Sequence, residues 1–228
     1  MTASDIFTAG CIPRDVNILK AELNTKHRIR ERIFLLDHFP SSSVGLELGV
    51  FTGLFSAILS RQQKFAKVTF VDPWWMMYGE CYPNWGSYTN FGRLRTRQAF
   101  DIAKRRILSG LPNRTVEVAF SYEWLEGQPD KSLDWIYVDS THTYEGTKRE
   151  LKLLGRKMKE TGLICGDDWG PSRNGRHHGV FLAVNEFARA ENFEFVFCGV
   201  NCQWMIRRAL EDNSALPFLR GDKIHSLS

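Results

Sequence analysis

Apolar runs of strand length alternate with segments of helical periodicity over most of this chain. Such alternation is typical of α/β domains, in which helices cover a mostly parallel sheet. The last two apolar runs are separated by a short turn and predict a hairpin. We therefore expect an α/β, Rossmann-like doubly wound sheet of seven strands, mostly parallel, with an antiparallel C-terminal hairpin strand at its edge. The predicted strands are residues 44–48, 67–72, 115–120, 133–139, 162–166, 193–200 and 202–208.

Helical periodicity puts apolar side chains on one face in one segment before the first strand and in four segments between strands. The first of these, residues 14–38, ends before Pro40. We expect residues 1–43 to form an N-terminal arm and helical extension, residues 44–210 the main domain, and residues 211–228 a C-terminal tail. Two of the helical segments between strands are about residues 53–62 and 144–159. Another has Phe100, Ala103 and Ile107 on one face and stops at Gly110 and Pro112, and the last has Val180, Val184, Phe187 and Ala188 on its inward face.

Residues 73–92 are rich in aromatic residues and follow neither a strand nor a helix period. We expect a long ordered loop, and loops of this length in compact domains are usually lids or binding loops. Alternatively, the aromatic rings only pack the loop onto the domain, and the two roles are compatible. Trp75 and Tyr78 are the predicted substrate-binding residues of this segment, because such rings stack on a sugar or on a flat aromatic molecule.

Composition restricts the class of protein. With 228 residues, 43% hydrophobic and 25% charged, the chain is long enough for one large core. Its net charge of +4 is small, so a nucleic-acid partner is not indicated. The basic residues between Arg93 and Arg106 fall on a predicted helix, where we favour a solvated face over a phosphate-binding patch. No apolar run approaches the ~20 residues of a membrane span, so no membrane partner is expected.

The five cysteines indicate the redox setting. They lack C-x-x-C spacing, which argues against both a disulfide framework and a zinc site. Cys165 and Cys198 lie in apolar, strand-like runs and are predicted to be buried thiols. We therefore expect a reducing, cytoplasmic setting. The sequence leaves the oligomeric state open, a homo-oligomer included.

Residues 44–60, VGLELGVFTGLFSAILS, carry the first chemical signal. A strand ends near Glu47, the chain turns through Gly49 and Gly53, and the next strand ends at Asp72. In nucleoside-binding α/β domains, glycines let the backbone approach the ligand and an acid holds the ribose hydroxyls. The glycine spacing is not that of a dinucleotide site, and an acid at the strand end would repel phosphate. S-adenosylmethionine, a nucleoside that carries an amino acid, fits this arrangement best.

Further acidic residues follow two other predicted strands, Asp139 after the fourth and Asp167 and Asp168 after the fifth. Ligands of open parallel sheets bind beyond these strand ends. Crowded carboxylates are unfavourable unless hydrogen bonds or a cation compensate them, and Mg²⁺ prefers carboxylate oxygens. The alternative is a polar turn in which one Asp caps the next helix. Because Asp139 ends the adjacent strand, we favour a metal site.

The motifs LELGVFTG, VTFVDPW, LDWIYVDSTHTYEGTKREL and TGLICGDDW resemble those of class I S-adenosylmethionine-dependent methyltransferases. Within that class, D-x-x-H-x-Y-E followed by GDDW resembles the divalent-metal-dependent O-methyltransferases related to macrocin O-methyltransferase, which act on sugars and other natural-product scaffolds. The resemblance covers residues 44–207. It implies that Glu47 and Gly49 lie at the methionine end of the cofactor, Asp72 at its ribose and Ser121 near its adenine.

The resemblance also implies that Asp139, Asp167 and Asp168 are metal ligands. The N-terminal arm and the aromatic segment depart from the family pattern, and such regions commonly shape the acceptor pocket, so the acceptor cannot be carried over. The predicted cofactor-binding residues are Glu47, Gly49, Gly53, Ser56, Asp72, Ser121 and Asp139.

Methyl transfer to oxygen requires alignment of the acceptor and removal of its proton. A metal at the acceptor hydroxyl lowers its pKa, and a neighbouring base takes the proton. His142 is the predicted base, because imidazole titrates near neutral pH. Asp139 is the second predicted catalytic residue. The alternative for His142 is polar packing at a helix start. His177 and His178 are rivals for the base or for substrate contact, and an exposed loop pair is the alternative there.

The prediction is therefore an enzyme that uses S-adenosylmethionine and Mg²⁺, or another divalent metal, to methylate a hydroxyl of a small molecule such as a sugar or glycoside. One alternative is a methyltransferase for nucleic acid or protein, although no NPPY-like motif is present. Another is a non-methylating relative that binds the cofactor.

Overall fold

The computed structural model describes residues 16–23 and 26–209 of the chain. Within these residues, helices alternate with strands. In chain order the elements are α1 (Val16–Leu23), α2 (Lys26–Glu31), α3 (Leu35–His38), β1 (Ser43–Leu48), α4 (Leu54–Ser60), β2 (Phe65–Asp72), α5 (Trp75–Tyr78), a 3-10 helix (Gly86–Thr89), α6 (Thr96–Leu108), β3 (Arg114–Val118), α7 (Ser121–Glu126), β4 (Leu133–Val138), α8 (Tyr144–Lys157), β5 (Met158–Gly166), α9 (His178–Ala190), β6 (Phe193–Val200) and β7 (Gln203–Arg208).

The seven strands form one sheet in the order β3-β2-β1-β4-β5-β7-β6. Six strands run in the same direction, and β7 is antiparallel to both of its neighbours. The predicted fold class is thus confirmed. The antiparallel strand, however, is not at the edge as we expected. β7 lies between β5 and β6, and its residues are more completely buried than those of β6, which forms the edge.

Three further differences from the prediction concern helices and loops. The predicted helical segment over residues 14–38 is interrupted within its described part, where a turn separates α2 from α3 and Leu35 N donates to Arg32 O at 3.1 Å. The aromatic segment contains α5 and the 3-10 helix rather than only loop. Helix α7 was not predicted, since six residues are too few to reveal a helical period.

The described residues divide into two compact units. The first contains the described residues up to Ser42 together with Gly49–Phe120, and the second contains Ser43–Leu48 together with the described residues from Ser121 onward. The predicted domain boundaries at residues 43 and 210 stay predictions. No helix among the described residues is long and apolar enough to cross a membrane.

In the first unit, helices α4 and α6 pack closely. A Cβ added at Gly53, which has a φ of +76°, would lie 2.8 Å from the Cα of Ala103, so glycine is required there for both conformation and space. Arg106 of α6 pairs with the buried Glu22 and donates to the carbonyl of Thr52 at 2.9 Å. Arg106 therefore does not belong to a solvated basic face, whereas Arg105 is exposed.

In the second unit, strands β1 and β4 are buried on both faces, as is usual for parallel strands covered by helices. The ring of Trp135 lies over Gly45, and its Nε1 donates to Ser43 Oγ at 3.0 Å. Thr143 caps the start of α8, and its hydroxyl accepts from the Gly146 amide at 3.2 Å. The Trp135 contacts join the first residues of β1 and β4, and the Thr143 cap fixes the end of the loop that precedes α8.

The four described cysteines are free thiols. Cys165 is buried, as predicted, and burial raises the pKa of its thiol. Cys198 is only half-buried, because β6 lies at the edge of the sheet. Cys11 lies outside the described residues.

Candidate functional site

In the second unit, the strand order reverses between β1 and β4, which is the position where open α/β sheets bind ligands. The Asp139 amide, directly after β4, donates to the carbonyl of Leu48 at 2.8 Å. The Asp167 amide, directly after β5, donates to the carbonyl of Val138 at 3.1 Å. These two hydrogen bonds extend the parallel pairings of β1 with β4 and of β4 with β5 by one step. The acids that follow β4 and β5 therefore lie at the same edge of the sheet, the carboxyl ends of its parallel strands, which we call the rim.

The carboxylates of Asp139, Asp167 and Asp168 converge at this rim. One oxygen from each lies within 4.8 Å of the others. Asp167 and Asp168 are buried, and Asp139 is half-buried. Asp168 has a φ of +64°, a left-handed conformation that Asp tolerates better than most residues. The structure thus brings together the three residues that the sequence predicted as metal ligands.

Gln203, at the start of β7, orients one of these acids. Its Nε2 donates to Asp167 Oδ1 at 2.6 Å, and its Oε1 accepts from the hydroxyl of Tyr137 at 2.9 Å. Both side chains are buried, so the chain of hydrogen bonds holds Asp167 in one orientation. Sequence reasoning missed Gln203, because its position depends on β7 pairing directly with β5.

His142 lies beside the carboxylates, on the loop that leads into α8. Its Nδ1 is 2.5 Å from Asp168 Oδ2, and its side chain is 43% exposed. Burial lowers the pKa of His142, but the hydrogen bond to Asp168 and the charges of Asp139, Asp168 and Asp167 together outweigh it, so that the pKa is raised. The imidazole is therefore positioned by Asp168 and accessible from solvent.

The two rival histidines differ in their surroundings. His177 Nδ1 is 3.4 Å from Asp168 Oδ2, the same oxygen that His142 contacts. His178 Nδ1 instead lies 3.3 Å from the carbonyl oxygen of Gly170, and its ring stacks on Phe181. Only His177 joins the acidic rim.

Glu150 of α8 is a buried acid that sequence reasoning also missed. Its carboxyl group accepts hydrogen bonds from the hydroxyls of Ser121 and Ser140, the latter at 2.7 and 2.8 Å. Burial raises the pKa of Glu150 to about 7, although the two serine hydrogen bonds and the nearby charge of His142 lower it. The helical pattern carried a signal for this residue, since Glu150 directly precedes Leu151 on the buried face.

The pH dependence of stability should report this carboxyl group. The folded protein holds the Glu150 proton more tightly than the unfolded chain does, so its contribution to stability falls as pH rises from 4.5 to about 7. A pKa raised from 4.5 to about 7 corresponds to about 3 kcal/mol. Glu150→Gln resembles the protonated form. Its free energy of unfolding, relative to that of the wild type, should therefore increase by about that amount between acidic and mildly alkaline pH. Urea unfolding across this range measures the difference.

The control is Glu145→Gln, which removes the same charge from an exposed position in the first turn of α8. Its difference from wild type should change over this pH range by much less than that of Glu150→Gln, because the Glu145 side chain is exposed to solvent. A constant difference for Glu150→Gln would contradict the raised pKa of Glu150.

Two other predicted cofactor-binding residues lie in the second unit. Glu47, on β1, is 2% exposed and lies opposite Tyr137 in the parallel ladder. Ser121, at the start of α7, donates its hydroxyl hydrogen bond to Glu150. Their roles toward the cofactor stay predictions.

In the first unit, Asp72 binds the loop that begins at Gly49. Its Oδ2 accepts from the amides of Val50 and Phe51 at 2.8 and 2.9 Å, and its Oδ1 accepts from the Trp74 amide at 2.8 Å. Burial raises the pKa of Asp72, and these amide hydrogen bonds oppose that shift. The carboxylate therefore fixes the shape of the glycine loop, a role that the sequence did not indicate.

Gly49 and Gly53 both have positive φ, +87° and +76°, so the loop that Asp72 holds requires glycine at both ends. Ser56 follows in the first turns of α4 and is fully buried, and its hydroxyl has no hydrogen-bond partner among the described residues.

In the aromatic segment, residues 73–92, some rings are packed in the protein interior and others are exposed to solvent. Trp74 is fully buried and donates its Nε1 to the carbonyl of Phe51 at 2.9 Å. Trp75 has the guanidinium of Arg97 3.8 Å above its ring, and Tyr78 contacts Tyr82 and Trp85. Burial and the charge of Asp72 raise the pKa of Tyr78 to about 12. The packing alternative thus accounts for several rings, while substrate contact by Trp75 and Tyr78 stays a prediction.

Comparison with known proteins identifies the family. A family model described as a methyltransferase domain matches residues 45–169. No curated protein matches the sequence.

Among solved structures, the N-methyltransferase NodS from Bradyrhizobium japonicum WM9 is similar, with a TM-score of 0.52 and 14% identity over 81% of this chain and 96% of that one. The YcgJ protein from Bacillus subtilis has a TM-score of 0.50 and 12% identity over 75% of this chain and 70% of that one. A TehB-like SAM-dependent methyltransferase from Corynebacterium glutamicum has a TM-score of 0.49 and 15% identity over 80% of this chain and 87% of that one. At these identities, NodS and the YcgJ protein show a shared fold.

The family model covers more than half of the chain, and its matched segment runs from β1 through Trp169, which includes the acidic rim described above. The chain therefore belongs to the methyltransferase domain family, which makes it a class I methyltransferase and supports S-adenosylmethionine as its methyl donor.

Proposed function

We propose that this methyltransferase is an O-methyltransferase that uses a divalent metal ion, Mg²⁺ or a similar hard cation, to methylate a hydroxyl of a small molecule such as a sugar or glycoside. The observation that carries the proposal is the convergence of three carboxylates with an adjacent imidazole, His142, on one rim. The resemblance to the macrocin O-methyltransferase relatives points in the same direction.

The donor set fits a hard cation. Asp139, Asp167 and Asp168 offer only carboxylate oxygens, which Mg²⁺ prefers. Three carboxylates this close repel one another unless a cation or hydrogen bonds compensate them. Gln203 donates to one oxygen of Asp167 and His142 contacts one oxygen of Asp168, and ligands held by such outer hydrogen bonds are usual in metal sites.

In this mechanism, the chain aligns the acceptor and removes its proton. His142 takes the proton from the acceptor hydroxyl, while Asp168 holds the imidazole in position through its Nδ1. Asp139, Asp167 and Asp168 would hold the divalent metal, which would supply Lewis-acid stabilisation of the acceptor oxygen as its proton leaves. S-adenosylmethionine would supply the methyl group from its sulfonium: the sulfur–methyl bond breaks as the bond to the acceptor oxygen forms, and S-adenosylhomocysteine leaves as a neutral thioether that needs no protonation. We propose that the cofactor binds in the first unit to the Gly49–Gly53 loop, which Asp72 holds through backbone amides, and to Ser56 of α4.

The acceptor class rests on the exposed aromatic and sulfur-containing side chains of residues 73–92. Trp85 is 36% exposed, and Met76 and Met77 are about half exposed. Such side chains form adaptable apolar surfaces that stack on rings. With Trp75 and Tyr78, they are proposed to contact the acceptor.

Calorimetry tests the cofactor part of this proposal. The chain should bind S-adenosylmethionine and S-adenosylhomocysteine, and Asp72→Asn should weaken both by ~10-fold or more, because an amide NH₂ would face backbone amides that now donate to a carboxylate. Asp101→Asn, which changes an exposed acid of α6 in the same unit, is the control. Tight NAD binding without S-adenosylhomocysteine binding would overturn the cofactor assignment.

The acceptor is tested by transfer of a labelled methyl group to a panel of sugars, glycosides and phenols, with and without Mg²⁺. Labelled O-methyl product that depends on Mg²⁺ supports the proposal. Methylated nucleic acid or protein would assign the first alternative function, and cofactor binding without product on any acceptor would assign the second.

A further inference from the structure

We propose that His142, Asp168 and His177 form a binding site for a first-row transition-metal ion such as Zn²⁺ or Co²⁺. The site goes beyond the proposed function and does not depend on methyl transfer. It differs from the carboxylate set in its chemistry, since two of its three ligand atoms are imidazole nitrogens, and it shares Asp168 with that set.

The ligand atoms converge from three separate segments. The Nδ1 atoms of His142 and His177 lie 2.5 and 3.4 Å from the same oxygen, Oδ2 of Asp168, and all three ligand atoms lie within 4.8 Å of one another. The two imidazole rings are 5.2 Å apart and nearly perpendicular, at 80°. An ion coordinated at about 2.0–2.2 Å by each atom requires ligand atoms roughly 3–3.5 Å apart, a separation that His177 Nδ1 and Asp168 Oδ2 already have at 3.4 Å. At His142 the ion would replace the 2.5 Å hydrogen bond to Asp168, with a side-chain shift of roughly 1 Å.

The backbone brings the two histidines together. His142 lies before α8 and His177 directly before α9, and the starts of these helices approach each other at Gly179, where a Cβ would lie 2.7 Å from the Tyr144 amide nitrogen. Gly170 packs against the His177 backbone, where its Cβ would lie 3.1 Å from the His177 carbonyl carbon. The convergence is therefore built by close backbone contact at two glycines, Gly179 at the start of α9 and Gly170 in the loop after β5.

The donor types select the metal. Imidazole suits Zn²⁺, Cu²⁺, Fe²⁺ and Ni²⁺, whereas carboxylate and water suit Mg²⁺, Ca²⁺ and Mn²⁺. Two histidines and one carboxylate leave coordination positions open, as in catalytic zinc and non-haem iron sites. The same rim thus offers one set of ligands for a hard cation and another for a transition-metal ion. Because both sets need Asp168, they cannot be filled independently.

The test uses the full chain, stripped of metal with EDTA and titrated with Co²⁺, whose visible absorption intensifies when nitrogen ligands replace water. We expect one Co²⁺ per chain, displaced by Zn²⁺. His177→Ala should weaken Co²⁺ binding by ~10-fold or more. Asp139→Asn, which removes a ligand of the carboxylate set and none of the three ligands proposed here, should change it by less than ~3-fold. His178→Ala is the matched control, since His178 contacts the Gly170 carbonyl rather than Asp168.

The variants should fold, because His177 makes no side-chain capping bond to α9 and is partly exposed. Circular dichroism and melting temperature verify this. Unchanged Co²⁺ affinity in His177→Ala would overturn the proposal, and so would an equal or greater loss in Asp139→Asn. Neither readout requires turnover or bound S-adenosylmethionine, so failure of this site is distinguishable from failure of the proposed function.

Discussion

Asp168→Asn should lower kcat for methyl transfer by at least ~10²-fold, because a Lewis-acid contribution of several kcal/mol depends on the charge of the ligand set. Asn is the appropriate replacement, since the residue has a φ of +64° and Asn tolerates this conformation better than Ala. Affinity for S-adenosylhomocysteine should change by less than ~3-fold, because Asp168 is not among the predicted cofactor contacts. Steady-state kinetics and calorimetry measure the two quantities.

Chelation provides the corresponding test on the unmodified chain. EDTA should suppress turnover, and added Mg²⁺ should restore it. Glu145→Gln is the control for charge alone, because it removes one exposed acid from the nearby first turn of α8. Full activity in chelator, or a loss in Glu145→Gln equal to that in Asp168→Asn, would assign the rim acids to the turn-and-cap alternative.

The sheet and the positions of its acids follow from local pattern. Asp139 and Asp167 each come directly after a buried apolar run, and in a parallel sheet those ends meet at one rim, so their convergence was predictable without knowing any side-chain contact. The strand bounds moved by only a few residues at most, except that β5 begins at Met158, directly after α8, rather than at Gly162.

The remaining contacts depend on tertiary geometry that no local pattern encodes. Gln203 reaches Asp167 only because β7 is inserted between β5 and β6. His177 reaches Asp168 only because the start of α9 approaches α8 at Gly179. The amide contacts of Asp72 depend on the shape of a loop in which Phe51 itself has a positive φ. Spacing along the chain predicts which residue types are available, and packing decides which of them meet.

His142 is the residue whose placement by packing should have the largest effect on the rate of methyl transfer. Asp168 orients its Nδ1, and its side chain remains 43% exposed, as a base that meets an incoming acceptor requires. The rim carboxylates raise its pKa, and a divalent cation that neutralises them would favour the neutral imidazole that can accept a proton. The proposed base and the proposed metal therefore support each other.

His142→Ala should lower kcat by ~10²–10⁴-fold, the usual contribution of a general base, while cofactor affinity stays nearly unchanged. Activity of the variant should recover as pH rises, because hydroxide or an already ionised acceptor replaces the missing base. His27→Ala, at an exposed position of α2, controls for loss of a surface histidine. His177→Ala tests the rival directly, since both imidazoles contact the same oxygen of Asp168. If His142→Ala loses less than ~3-fold and His177→Ala loses the full range, His177 is the base.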